Sequence, residues 1–158
     1  MPDPTHSPES TPGPPDSLDP DEEDLMRSLS RVIYALPRAL DADMAREQRL
    51  PLIEYQALMH LSEAPARQLR MSDLATACER SLSGMTGVVH RLEGQGYVRR
   101  VKGARDGRSW NAVLTDTGLA RLEEAWPSHL ASMRRHFLDH LAGLDLRALG
   151  AALRAVAA

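Results

Sequence analysis

The sequence predicts a mainly α-helical protein with one small β-hairpin, an α+β fold in a single domain. Only 4% of the 158 residues are aromatic, which favours helices that pack through aliphatic side chains over a β-sandwich. Apolar residues recur at spacings of three and four along most of the chain. A β-branched run followed by a glycine-rich turn, between residues 97 and 114, predicts the hairpin.

The N-terminal segment, residues 1–20, is predicted to be a disordered tail. It holds seven of the eleven prolines among Ser, Thr, Asp and Gly, a composition that cannot bury enough apolar surface to order a chain. An apolar stripe then predicts a helix over residues 21–50, which Pro37 should bend. Pro51 suits the first position of a second helix, which Pro65 ends.

Two short helices follow with the spacing of a helix-turn-helix. Ser72 is placed to cap the first, Asp73–Glu79, and a tight turn leads to the second, Ser83–Gln95. The side chains predicted to face inward are Leu74, Ala75 and Cys78 in the first helix and Leu82, Met85, Val89 and Leu92 in the second. Gly84 and Gly87, on the opposite face of the second helix, each cost about 1 kcal/mol relative to alanine. Close approach to a DNA groove or a tight helix crossing would account for them.

The hairpin is predicted from Tyr97–Lys102, the turn Gly103–Arg108, and a second strand that leads into a helix capped by Thr115 or Asp116. The arginines of the turn project from a ribbon too thin to bury them. Such side chains either make the surface soluble or reach a partner, and an A·T-rich minor groove attracts an inserted guanidinium.

The last third of the chain carries apolar stripes that a small domain cannot cover alone. One stripe runs through Leu119, Leu122, Trp126, Leu130, Met133, Phe137 and Leu141, and Pro127 should bend its helix. Asp145 caps a further helix with Leu146, Leu149, Leu153 and Val156 on one face. These stripes predict a dimer, and the alternative is that the same helices pack within one chain.

The hairpin resembles the wing of the MarR family of transcriptional regulators. That wing carries Asp, any residue, Arg, five residues, Leu-Thr, and a Gly three further on. Here these residues are Asp106, Arg108, Leu114, Thr115 and Gly118. The resemblance covers roughly residues 24–158 and extends upstream over Leu74-Ala75, Ser83, Thr86, Arg91-Leu92-Glu93 and Gly96 to Arg100.

The resemblance implies a winged helix-turn-helix with terminal dimerisation helices. It assigns residues 51–115 to a DNA-binding lobe, and residues 21–50 and 116–158 to dimerisation helices. The implied function is that of a bacterial, cytoplasmic, homodimeric repressor, which binds a palindromic operator in double-stranded DNA. A small lipophilic or aromatic ligand would release it. No cofactor is expected.

The residues expected to contact DNA lie on the second helix of the motif and on the wing. They are Ser83, Gly84, Thr86, Gly87, His90, Arg91, Arg105 and Arg108. Ser83 and Thr86 are expected to donate hydrogen bonds, and Arg91 is long enough to reach a guanine edge or a phosphate. However, a His-Arg pair on a helix, such as His90-Arg91, is often simply exposed to solvent and contacts no partner.

The charge distribution agrees with DNA binding, although the net charge is −3. An acidic block near the N-terminus sets the sign, whereas residues 72–110 hold seven basic and four acidic side chains, a net charge of +3. No apolar run approaches the ~20 residues of a membrane span, and the start of the chain has no hydrophobic signal region.

Other functional classes fit the sequence less well. A winged-helix module that binds a protein partner instead of DNA is the main alternative, and the exposed wing arginines argue against it. No motif of an enzyme is found. His136 and His140 have a metal-ligand spacing beside Asp139, but no Cys or Glu completes a site, so solvated histidines are favoured. Cys78 suits a small core residue better than a thiol sensor.

A ligand crevice is a further possibility. Tyr34, Tyr55, Met59 and Trp126 could line one between the dimerisation helices and the DNA-binding lobe, although such residues more often lie in a core.

Overall fold

The computed structural model describes residues 17–104 and 107–157, in two units that divide after Ala35. Most of the predicted tail, as well as Arg105 and Asp106 of the wing, lies outside the described residues. The helices are α1 (Pro20–Gln48), α2 (Leu52–Glu63), α3 (Met71–Ala77), α4 (Leu82–Gly94), α5 (Asp116–His136) and α6 (Leu146–Val156). The strands are β1 (Gln68–Arg70), β2 (Val98–Lys102) and β3 (Trp110–Leu114). The predicted mainly α fold with a small β element is confirmed.

The first unit is helical, and its helix begins with a reciprocal cap. Oδ1 of Asp19 accepts hydrogen bonds from the backbone amides of Asp21 and Glu22, at 2.9 and 2.8 Å. The Glu22 carboxylate accepts one in return from the amide of Asp19, so free amides of the first turn are satisfied. The apolar side chains of this unit are largely exposed, Leu25 at 65% and Ile33 at 57%.

The second unit begins at Leu36, within α1, which continues through Pro37 to Gln48. Its core is formed by apolar residues from several of the described helices and strands. These are chiefly Met44, Tyr55, Leu58, Leu61, Leu74, Met85, Val89, Leu92, Val98 and Leu114, each at most 4% exposed.

A three-stranded antiparallel sheet, in the order β1-β3-β2, supports the wing. The predicted hairpin is its β2-β3 pair, with Arg99 opposite Val113 and Lys102 opposite Trp110. Strand β1 was not predicted, because its three residues are too few to show an alternation. It pairs Leu69 with Ala112 and joins the hairpin to the helix-turn-helix.

The junction of β3 and α5 holds the hairpin against the body of the second unit. The hydroxyl of Thr115 accepts a hydrogen bond from the amide of Gly118 at 3.0 Å and donates one to the carbonyl of Gly96 at 2.7 Å. A Cβ added to Gly118 would lie 2.1 Å from the carbonyl oxygen of Tyr97. Only glycine therefore allows α5 to start this close to the hairpin, which explains the last position of the wing motif.

Several predicted boundaries and orientations are wrong. Ser72 does not cap α3, because β1 runs directly into the helix and Met71 is already its first residue. Leu82 is 53% exposed instead of buried, since it opens α4 before that helix packs on the core. The apolar stripe from Leu119 to Leu141 is not one helix, because α5 ends at His136 and a short 3-10 helix, Leu138–Leu141, follows. In the described part of the chain, no helix combines the length and the apolar character needed to span a membrane.

Candidate nucleic-acid interface

The exposed face of α4 carries most of the predicted DNA contacts. Ser81 caps the helix by accepting a hydrogen bond from the amide of Gly84 at 3.1 Å, and residues 81–84 at this end are exposed. Five of the predicted residues lie on the exposed side, namely Ser83, Gly84, Thr86, His90 and Arg91, and Gly87 is half-buried. The buried face is formed by Met85, Val88, Val89 and Leu92. It agrees with the prediction except that Val88 replaces Leu82.

Gly84 and Gly87 of α4 do not pack against another described element. A Cβ added at Gly84 would lie 3.1 Å from Oγ of Ser81, and one at Gly87 would lie 3.8 Å from Nη1 of Arg91. Both neighbours belong to α4 or its cap, so a tight crossing with another described helix does not account for either glycine. The small residues therefore keep a shallow surface over the first two turns of the helix.

Thr86 differs from the prediction in its hydrogen-bonding role. Its hydroxyl donates to the carbonyl of Leu82 at 2.9 Å, a bond within the helix. The hydroxyl proton of Thr86 is therefore already engaged, and only its oxygen is available, as an acceptor. An acceptor suits the amino group of adenine or cytosine in the major groove but not a phosphate.

Arg91 is tied to the body of the second unit. Its Nε donates to Oε1 of Glu54 on α2 at 2.8 Å, and the Glu54 side chain is only 4% exposed, whereas that of Arg91 is 55% exposed. Glu54 was not among the predicted site residues. A charged residue inside the apolar run Leu52–Met59 is the signal that could have found it.

The base of the wing concentrates positive charge around an exposed ring. Trp110 is 44% exposed, and the guanidinium of Arg100 and the ammonium of Lys102 each lie 5.8 Å from its centroid. Nε of Arg100 also donates to Glu93 at 2.9 Å. The backbone amide of Arg100, followed by its side chain, lowers the pKa of Glu93, so this carboxylate stays ionised and holds the base of the wing to the end of α4.

A groove of about 270 Å³ joins the wing to the helix-turn-helix. It brings together Thr86 and Arg108, which the sequence predicted separately. Its other lining residues include Arg70, Ser72, Leu82, Arg100 and Trp110, which were not predicted as site residues. Leu82 and Trp110 were missed because exposed apolar side chains give no signal in a sequence pattern.

The predicted solvated histidines need correction. His136 is half-buried, and its Nε2 lies 2.9 Å from Oδ2 of Asp43 on α1. Ser132 and Arg135 donate to the same carboxylate. The hydrogen bond from Ser132, followed by those from Arg46 and His136, holds the pKa of Asp43 well below its usual range. His140 lies beyond the end of α5, so it does not share a helix face with His136. Across residues 17–104 and 107–157, no three His, Cys, Asp or Glu side chains are grouped to hold a metal ion.

Cys78 is buried, and its desolvation raises the pKa of the thiol. A buried neutral thiol is a poor nucleophile, which agrees with the predicted role as a core residue.

A second cavity, of about 610 Å³, lies between α2 and α5. It is lined by Tyr55, Met59, Ser62, Glu63, Leu119, Leu122, Glu123, Trp126, His129 and Met133, and so includes three of the four residues predicted to line a crevice. The ring centroids of Tyr55 and His129 are 4.4 Å apart. Burial raises the pKa of Tyr55 to about 12 and lowers the pKa of His129, so both are neutral near pH 7.

Comparison with known proteins points to one family. A family model described as "MarR family" matches residues 50–109. A MarR family transcriptional regulator from Streptomyces coelicolor, solved in complex with DNA, is 34% identical, with 90% of each chain covered and a TM-score of 0.80. AbsC, another MarR family transcriptional regulator from that organism, is 38% identical, with 89% of this chain and 95% of its own covered and a TM-score of 0.79.

More distant structures share the fold. MarR from E. coli in its apo form is 20% identical and covers 89% of this chain and 98% of its own, with a TM-score of 0.69. No curated protein gives a significant match.

Proposed function

This chain belongs to the MarR family of transcriptional regulators, which are not enzymes, and we propose that it binds a palindromic operator in double-stranded DNA as a cytoplasmic homodimer. The groove that brings Thr86 of α4 and Arg108 of the wing together is the observation that carries this proposal. Two elements that lie far apart in the sequence thus offer one continuous surface to a duplex.

In this proposal α4 enters the major groove. Its exposed face has small residues at Ser83, Gly84 and Gly87, which let the backbone approach base edges. His90 and Arg91 follow on the exposed side, and Arg91 is also bonded to Glu54 of α2. The wing arginines, Arg105 and Arg108, are proposed to contact phosphates and the adjacent minor groove.

The dimer is proposed from the C-terminal helix. None of the α6 residues is buried, and its apolar side chains Leu146, Leu153 and Val156 are 53%, 45% and 83% exposed. An apolar surface of this kind on a soluble protein requires a partner, and a second copy supplies the same surface by two-fold symmetry. The exposed apolar residues of the first unit have the same requirement.

We divide the chain accordingly. Residues 51–115 form the DNA-binding lobe, and residues 21–50 and 116–158 the dimerisation helices. We further propose that it is a repressor, and that a small lipophilic or aromatic effector bound in the cavity between α2 and α5 releases it from DNA. Supporting this, the cavity is large enough for a drug-sized molecule and has mostly apolar walls.

DNA flanking the gene of this protein is the first substrate to test. Footprinting with the purified full-length chain should protect a palindrome whose half-sites are about one helical turn apart. Fluorescence anisotropy on the protected duplex should show loss of affinity for Thr86→Ala and Arg108→Ala. Arg134→Ala, an exposed arginine near the end of α5, is the matched control. Equal affinity of wild-type protein for the protected and scrambled duplexes would refute sequence-specific binding and favour a protein partner.

A further inference from the structure

Leu82, the first residue of α4, presents a large apolar side chain to the groove between α4 and the wing. It is 53% exposed, so it contributes little to the core of the second unit. A single exposed leucine needs no partner by itself. Its surroundings therefore decide whether it has one.

The groove around Leu82 is positively charged. Arg70, Arg100 and Arg108 line it, and no Asp or Glu is found among its described lining residues. Glu93, which pairs with Arg100, lies outside that lining. A polyanion complements such a surface. The apolar group that a DNA duplex offers in its major groove is the C5-methyl of thymine.

Thr86 places a hydrogen-bond acceptor beside this leucine. The two residues are one helical turn apart, so their side chains are neighbours on the surface of α4, and both line the groove. Because the Thr86 hydroxyl donates to the carbonyl of Leu82 at 2.9 Å, its oxygen can only accept from a partner. This part of α4 thus combines one acceptor with one apolar group.

One kind of base pair presents the matching pair of groups. On its major-groove edge an A·T pair carries the N6 amino group of adenine, which is a donor, and the C5-methyl of thymine. An unmodified G·C pair also carries an amino donor, on cytosine, but it has no methyl group. An acceptor beside an apolar side chain therefore favours A·T over G·C.

We propose that Leu82 and Thr86 together select an A·T pair in each half-site of the operator. The adenine amino group donates to the hydroxyl oxygen of Thr86, and the thymine methyl packs against Leu82. This inference rests on the proposed function, because it names a base pair that α4 reads.

Deoxyuridine tests the methyl contact with the wild-type protein, because it pairs like thymine and lacks only the C5-methyl. Fluorescence anisotropy on the full-length chain measures binding to the footprinted operator with each thymine replaced in turn, at symmetric positions in both half-sites. At one position the affinity should fall about fourfold for each half-site, which is the effect of leaving one methyl group unburied. The slope of log K against log salt should stay unchanged, because this contact releases no counterions. Deoxyuridine outside the protected sequence is the matched control.

Variants of Leu82 show whether the methyl group acts through this side chain. Leu82→Ala should keep the wild-type melting temperature, because the side chain is largely exposed, and it should bind the thymine and deoxyuridine operators equally well. Leu82→Met keeps a large apolar side chain and should keep the discrimination.

The base analogue 2-aminopurine tests the acceptor of Thr86. It pairs with thymine but carries its amino group on the minor-groove edge, so it removes the donor from the major groove. Placed opposite the thymine that deoxyuridine identifies, it should weaken wild-type binding about fivefold for each half-site. Thr86→Val keeps the branched shape without the acceptor, and in this variant the loss should disappear.

Equal wild-type affinity for the thymine and deoxyuridine operators at every position would overturn the proposal. A loss of the same size in wild type and in Leu82→Ala would do so too, because the methyl group would then act through the shape of the DNA. A 2-aminopurine effect confined to other base pairs would contradict the shared A·T pair. In each of these cases the wild type still prefers the operator to a scrambled duplex, whereas absence of that preference rejects the proposed function itself.

Discussion

Nε of Arg91, on the exposed side of α4, lies 2.8 Å from Oε1 of Glu54, a carboxylate almost fully buried in α2. Arg91 therefore has a structural task, which is to neutralise a charge at the foot of the proposed recognition helix. Its predicted role as a reader of bases must be separated from that task. The pair also links α4 to α2.

The first prediction concerns this ion pair. Arg91→Ala should lower the free energy of unfolding by about 2 kcal/mol, because it leaves the Glu54 carboxylate buried without its partner. The double variant Glu54→Gln/Arg91→Ala should recover part of that loss, since it removes the stranded charge. Urea denaturation followed by circular dichroism measures both. A wild-type midpoint for Arg91→Ala would show that the pair contributes nothing, and any loss of DNA affinity would then report direct contact.

The second prediction concerns the wing. Arg108→Ala should leave the fold and the oligomeric state unchanged, because Arg108 is exposed. Operator affinity should fall, and the slope of log K against log salt should flatten by up to about 0.9 for a lost phosphate contact. The same titration with Arg134→Ala gives the control. A wild-type affinity together with a wild-type slope would rule out the wing as part of the interface.

The third prediction tests the dimer. Leu149→Glu/Leu153→Glu places two charges on the apolar face of α6 and should give a monomer or an aggregate, because these charges would be desolvated in an interface. Arg147→Glu, on the same helix, is the control for a charge change alone. Multi-angle light scattering measures the mass. If the double variant is a well-folded dimer, α6 does not form the interface.

The fourth prediction is a pH dependence from Asp43, which is 5% exposed and bonded to Ser132, Arg135 and His136. Its pKa is lowered in the folded state, foremost by the Ser132 hydroxyl, so its stabilisation is complete above the unfolded pKa and is lost as the pH falls through the folded one. Asp43→Asn should therefore lower stability by about 2 kcal/mol near pH 7 and flatten the acid dependence below about pH 4. Urea midpoints measured from neutral to acid pH give the result. Parallel curves for the two proteins would contradict the assignment.

The fifth prediction concerns the wing junction. Gly118→Ala should destabilise the protein by about 3 kcal/mol or prevent folding, because the new methyl group would overlap the backbone carbonyl of Tyr97. Gly94→Ala, with no described atom within 4 Å of the added Cβ, should instead be neutral or stabilise α4 by up to about 1 kcal/mol. Thermal melts of the two variants compare them directly. Similar melting temperatures would show that the junction can relax.

Local features of this protein could be predicted from the sequence alone. The hairpin with its Thr115 cap, the order of the helices and the buried face of α4 at Met85, Val89 and Leu92 all agree with the structure. Caps, turns and apolar periodicity are interactions between residues a few positions apart, so their free energies can be read from neighbouring residues. The exposed face of α4 could be predicted as well, because the residues that do not belong to the buried face must lie on the exposed one.

The relations across the fold were decided by tertiary structure. Arg91 meets Glu54 across 37 residues, and His136 reaches Asp43 across 93. Strand β1 exists because β3 offers it an edge, and the rings of Tyr55 and His129 come together only where α2 packs on α5. Such contacts depend on how the helices and strands pack once their apolar faces are buried. The residues next to a side chain in the sequence do not indicate which distant residue it will contact.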